Sequence, residues 1–123
     1  MRKQYYFRPS SSGLAAWDVD RLIRLTKDLP KRPVALSAIR ELDEAWTGED
    51  ETPTWRAMIG HIRLVDAADL DFPIILSATG AVMDGMHRVA KVVVRGGTEI
   101  MAVQFESDPE PDHVGVMPSQ LPY

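Results

Sequence analysis

The sequence predicts an α+β fold, a small mixed β-sheet flanked by helices, on three observations. Ile74–Ser77 is an apolar, β-branched run without polar alternation, the pattern of a strand covered on both faces. Met86–Arg95 repeats its apolar residues at the i, i+3, i+4, i+7 spacing of an amphipathic helix. Glu99–Phe105 alternates as a strand packed beside the first does.

Composition bounds the rest. A chain of 123 residues that is 45% hydrophobic has the length of one domain and enough apolar side chains for one core. Fourteen basic against eighteen acidic residues give a net charge of −4, which argues against nucleic acid as the main partner. There is no cysteine, which excludes thiolate chemistry, disulfides and cysteine-based zinc sites, and fits a reducing cytoplasm. The first residues lack the apolar segment of a signal peptide, and no run approaches the ~20 apolar residues of a membrane span. The chain therefore reads as a soluble cytoplasmic protein, with residues 1–13 as an N-terminal arm, 14–112 as the domain and 113–123 as a tail.

Taken in order, Gln4–Phe7 is an aromatic strand or arm, and its Tyr5, Tyr6 and Phe7 either cover the core or stack on a base. Pro9–Gly13 is punctuation. From Leu14 a helical pattern places Val19, Leu22, Ile23, Thr26 and Leu29 on one stripe, with Asp18 as N-cap and Pro30 as terminator. Val34–Leu36 is a short strand. Ser37–Trp46 is a short helix or turn with Ile39, Leu42 and Trp46 inward and Glu41, Asp43 and Glu44 as its polar face. Thr47–Thr52 is an acidic loop. Thr52-Pro53 begins a helix whose Trp55, Met58, Ile59 and Ile62 form an apolar stripe with His61 beside it.

Asp66–Leu70 then turns the chain into the strand at Ile74, and Ala78–Gly80 turns it again into Ala81–Met83. In the following helix Met86, Val89, Ala90 and Val93 face the sheet, while Arg88, Lys91 and Arg95 lie on the other side. Gly96-Gly97 closes that helix. The prolines of Asp108–Asp112 end regular structure, and the tail contains no helix-turn-helix pattern.

A strand that turns sharply into a helix leaves the first helical amides without intrahelical partners, at the positive end of the helix dipole. Asp84–Arg88 stands at such a turn. Gly85 lets an anion approach the backbone, Arg88 offers a planar fork for phosphate oxygens, and His87 adds a donor or a proton carrier near neutral pH. Asp84 either holds Mg2+ through water or caps the helix.

The strings PIILS, GAVMDGMHRVAKVVVRGG and EIMAVQF together resemble the N-terminal nucleotide-binding domain of ParB-type partitioning proteins and the related sulfiredoxins. Val34–Ile39 is similar to the entry strand and turn of that fold. The resemblance spans about residues 33 to 105 and is most specific over Met83–Lys91. It implies a ParB/sulfiredoxin-like fold and a nucleoside triphosphate, ATP or CTP with Mg2+, whose phosphates sit on Gly85, Met86, His87, Arg88 and Lys91. Met86 stands where sulfiredoxins carry their catalytic cysteine, so their reductase chemistry is not implied. The helix-turn-helix of the partitioning proteins has no counterpart here. An alanine usually follows the arginine by three residues, whereas Lys91 holds that place and Ala90 precedes it.

Two functions follow. The first is a single-domain nucleotide-phosphate-binding protein with NTPase or small-molecule phosphotransferase activity, in which Glu41, Asp43 or His61 activates the acceptor. The second is a non-enzymatic module for a small-molecule or protein partner, with nucleotide as a switch or absent.

Overall fold

The computed structural model describes residues 3–45 and 53–123. Tyr5–Ser10 (β1) and Gly13–Asp18 (β2) pair in antiparallel register, Tyr5 opposite Asp18 through Ser10 opposite Gly13. Leu14–Asp18 is thus a strand and not the start of a helix. Its backbone groups are claimed on one side by β1 and on the other by His113–Val114 (β7), which extends the sheet to the order β1-β2-β7. Residues of the N-terminal arm and of the tail therefore share one sheet with β2.

The helix begins one residue later, at Val19–Thr26 (α1), where Asp18 accepts the Asp20 amide at 2.9 Å as N-cap. Val19, Leu22 and Thr26 are buried, but Ile23 is half exposed and does not belong to the inward stripe. Arg32–Ala35 (β3) follows, then two short 3₁₀ turns at Leu36–Ala38 and Arg40–Asp43 that bury Ile39 and pack Leu42 on the core. The expected inward Trp46 and the acidic loop Thr47–Thr52 lie outside the described residues.

Trp55–Ala67 (α2) starts after Thr54, whose hydroxyl accepts the Ala57 amide at 3.1 Å. Its apolar stripe is not covered: Trp55, Met58, Ile59 and Ile62 are all exposed, and no residue of the helix is buried. The periodicity is real, but among the described residues none buries this stripe; Met58 and Ile62 only border clefts shared with α3.

Ile74–Leu76 (β4), Val82–Asp84 (β5) and Glu99–Gln104 (β6) complete a second sheet in the order β3-β6-β4-β5. β6 runs parallel to β4, and the other pairs are antiparallel, so the sheet is mixed. Successive β4 side chains face opposite layers. Ile74 and Leu76 join Val82, Val89 and Ala102 in one cluster, whereas Ile75 joins Met83, Val103, Trp17 and Leu22 in another. The sheet is a middle layer, with Met86–Val94 (α3) on one face and the β1-β2 hairpin with α1 on the other, and β4 is buried on both sides.

In α3 the inward positions are Met86, Val89 and Val92; Val93 is 45% exposed and faces away, contrary to the spacing argument, which set the face one step too far round. The helix closes as expected. The Gly96 amide donates to Val93 O and the Gly97 amide to Val92 O, with Gly96 at φ +79, a Schellman arrangement. Among the described residues no helix is long and apolar enough to cross a membrane.

Candidate functional site

β5 ends at Asp84 and α3 begins at Met86, so Gly85 alone makes the turn, as N-cap with φ +115. A Cβ there would lie 2.6 Å from Ile74 Cγ2 and 2.9 Å from Arg88 Nη2. The left-handed backbone and the packing of Ile74 require glycine, before any ligand is considered. No side chain caps this helix start. The first-turn amides are therefore left to solvent or to a ligand at the positive end of the helix.

Asp84 does not cap the helix. Its Oδ2 accepts from Arg88 Nη2 at 2.9 Å across one helical turn, with both side chains largely buried. The guanidinium is thus already positioned at the first turn of α3 by a carboxylate that also neutralises it. Arg88 Nε is buried without a hydrogen-bond partner. A buried N–H without a partner among the described residues costs of order 1–3 kcal/mol, although Asp84 compensates the charge of the guanidinium.

His87 projects from the same turn toward α2, where its ring meets that of His61 edge-on at 5.0 Å. Burial holds the His87 imidazole below its ordinary value of 6.5; His61 and Arg88 push it the same way, and Asp84 opposes them. His87 is therefore neutral at pH 7, one ring nitrogen donating and the other accepting.

Beside this pair lies a cleft of about 600 Å³ lined by Glu41, Glu44, Met58, His61, Met86 and His87, among others. Glu41 enters it from the second 3₁₀ turn. Its Oε2 accepts the Val82 amide, and its Oε1 is buried without a partner. Glu41, His61 and His87 are thus brought together, and Asp43, from the same turn, is not among the lining residues. On the opposite side of α3's first turn, a cleft of about 380 Å³ is lined by Gln4, Asp69 and Asp84 to Arg88. A further cleft of about 460 Å³ adds Lys3, Tyr5, Phe7 and Tyr123. All three clefts meet at Met86 and His87.

Lys91 is placed elsewhere. Its ammonium donates to Asp66 O at 2.7 Å and Ala68 O at 2.8 Å, at the C-terminal end of α2. It closes that helix electrostatically, which accounts for a cation at this position without a phosphate.

Several site residues carry no mark in the sequence. Lys3 and Gln4 come from the residues before β1, Glu44 from the end of the second 3₁₀ turn and Met58 from α2, and no local pattern announces that they reach the clefts.

Mg2+ fits as a companion of bound phosphates: it takes one or two carboxylates and keeps several waters, and Asp84 retains Oδ1 beyond its bond to Arg88. Among the described residues no three His, Asp or Glu side chains converge as metal ligands.

No family model matches the chain, and neither a curated protein nor a solved structure is significantly similar to it.

Proposed function

We propose that this protein binds a nucleoside triphosphate, ATP or CTP with Mg2+, by its phosphates at the first turn of α3, and acts as a nucleotide hydrolase or small-molecule phosphotransferase. The observation that carries the reading is the uncapped start of α3, with the Arg88 guanidinium fixed beside it and Arg88 Nε left without a partner. Open amides and a preset guanidinium are the two groups that phosphate oxygens need. The resemblance of Met83–Lys91 to the ParB/sulfiredoxin-like proteins points the same way.

Arg88 lies on one side of Met86 and His87, in a cleft that Asp69 and Asp84 also line, and the carboxylates of Glu41 and Glu44 lie on the other. Phosphates belong on the side of Arg88 and the open amides. A hydroxyl acceptor or a water belongs in the carboxylate-lined cleft, where Glu41, Glu44 or His61 takes up its proton and neutral His87 stands at the boundary. Phosphoryl transfer asks the protein mainly for positioning and charge neutralisation, and Arg88 with the helix end supplies both.

Calorimetric titration with ATP, CTP and GTP in the presence of Mg2+ tests the binding; saturable heat with ATP or CTP is expected, and silence with all three rejects the reading. Phosphate release with and without added hydroxyl compounds then separates hydrolase from transferase.

A second reading, a non-enzymatic partner-binding module, is favoured by one observation: Trp55, Met58, Ile59 and Ile62 of the α2 stripe are exposed. Robust nucleotide binding without any turnover would favour this module, with nucleotide as its switch.

A further inference from the structure

Helix α2 is an anomaly in this fold. Trp55 is 80%, Ile59 47% and Ile62 57% exposed, and these three residues occupy one stripe of the helix. Val94 at the end of α3, 80% exposed, continues the patch; it lines with Ile62 a groove of about 270 Å³ between the two helices. A 13-residue helix is marginal in water by itself, and a contiguous apolar patch of this kind marks an association surface.

We infer that this stripe is the face through which two copies of the chain associate, each laying its α2 antiparallel across the other about a two-fold axis. Charge selects both the occupant and the direction. Asp66 lies on the same stripe about three turns beyond Trp55, and Arg56 and Arg63 flank it. With the axis between Ile59 and Ile62, Ile59 meets the partner's Ile62, and Trp55 and Arg56 meet the partner's Asp66. One apolar contact and one opposite-charge contact are thereby made twice, as a two-fold interface requires. A parallel arrangement would set Asp66, Arg56 and Arg63 each against its own copy, which like charges disfavour. Among the described residues neither Arg56 nor Asp66 has an ion-pair partner within the chain. The patch is one helix face, which puts the interface at the small end of specific associations and makes dimerisation concentration-dependent.

Sedimentation of the whole chain from roughly 1 μM to 1 mM tests this, because weak interfaces assemble in that range. The mass is expected to rise from 13.7 kDa toward twice that value. Ile59→Glu changes an exposed side chain and is expected to keep the circular dichroism and melting point while abolishing the dimer. Arg56→Glu is expected to weaken association about fivefold, and adding Asp66→Arg to restore it. A wild-type chain that stays monomeric throughout overturns the inference and gives the face to a different partner. A dimer indifferent to Ile59→Glu, or a charge reversal that does not restore association, overturns it equally. None of these outcomes depends on nucleotide binding.

Discussion

Gly85 leaves room for an anion, and it also has a prior duty: a left-handed turn in which a Cβ would strike Ile74 and Arg88. The two are compatible, since the turn that demands glycine is also the turn that opens the helix end. Arg88 and Asp84 need the same revision. Each was considered separately, one for phosphate and one for Mg2+, whereas they form a pair 2.9 Å apart. Asp84 competes with an incoming phosphate for the guanidinium, so Asp84→Asn is expected to tighten phosphate binding about three- to tenfold, and Arg88→Ala to weaken it by at least as much. Calorimetry on both variants checks the sign. Weaker binding in Asp84→Asn would instead make this carboxylate the Mg2+ ligand.

His87 adds a pH dependence. Its pKa in the folded chain lies below the unfolded value of 6.5, chiefly through burial. In the window between the two values the unfolded chain binds a proton that the folded chain does not, so the contribution of His87 to stability is present above 6.5 and is lost as pH falls toward the folded value. Urea midpoints followed from about pH 8 to pH 5 are expected to decline more steeply in the wild type than in His87→Gln. An anion on the first turn of α3 stabilises the imidazolium and reverses this shift. Phosphate binding should therefore take up protons, seen as a binding heat that varies with the ionisation heat of the buffer.

At the scale of elements, the central strand and the helix after it were the most legible parts. Ile74–Leu76 has no polar residue to turn toward water, and its burial on both faces follows from that alone. The closing glycines of α3 were equally plain. What failed was whatever depended on a distant partner. The residues Leu14–Asp18 are not rich in β-formers, and they are a strand because β1 and β7 supply hydrogen bonds from both sides. The stripe on α2 is correctly spaced, but spacing says nothing of what covers a face, and no described residue buries this one. Val93 and Val92 are neighbours on the wheel, and only the position of the sheet decides between them.

Lys91 belongs to the same lesson. It follows Arg88 by three residues and was grouped with it, yet α2 ends within its reach and takes it. Its replacement by methionine is expected to raise amide exchange in the last turn of α2 about fivefold while leaving phosphate affinity within about twofold of wild type. A large loss of phosphate affinity would return Lys91 to the cradle.

For the whole molecule, the α+β class and the flanking helices could be read from periodicity, because strand and helix are properties of one segment, whereas the mixed strand directions depend on which strands pair. The β1-β2-β7 sheet could not. β7 reaches β2 from nearly a hundred residues away, and the Trp17 indole is fixed to Pro109 O at 2.8 Å, contacts that no local pattern encodes. The same distance separates residues that the sequence offers only singly. Glu41 comes from a 3₁₀ turn, His61 from α2 and His87 from α3, and the fold makes them walls of one cleft. That convergence lies beside the uncapped end of α3.

The most direct test is amide NMR of the whole protein titrated with MgATP and, separately, MgCTP. Saturable shifts are expected, largest at the Met86, His87 and Arg88 amides and lost in Arg88→Ala. Shifts centred elsewhere, or an unchanged spectrum with both nucleotides, would contradict the proposed site.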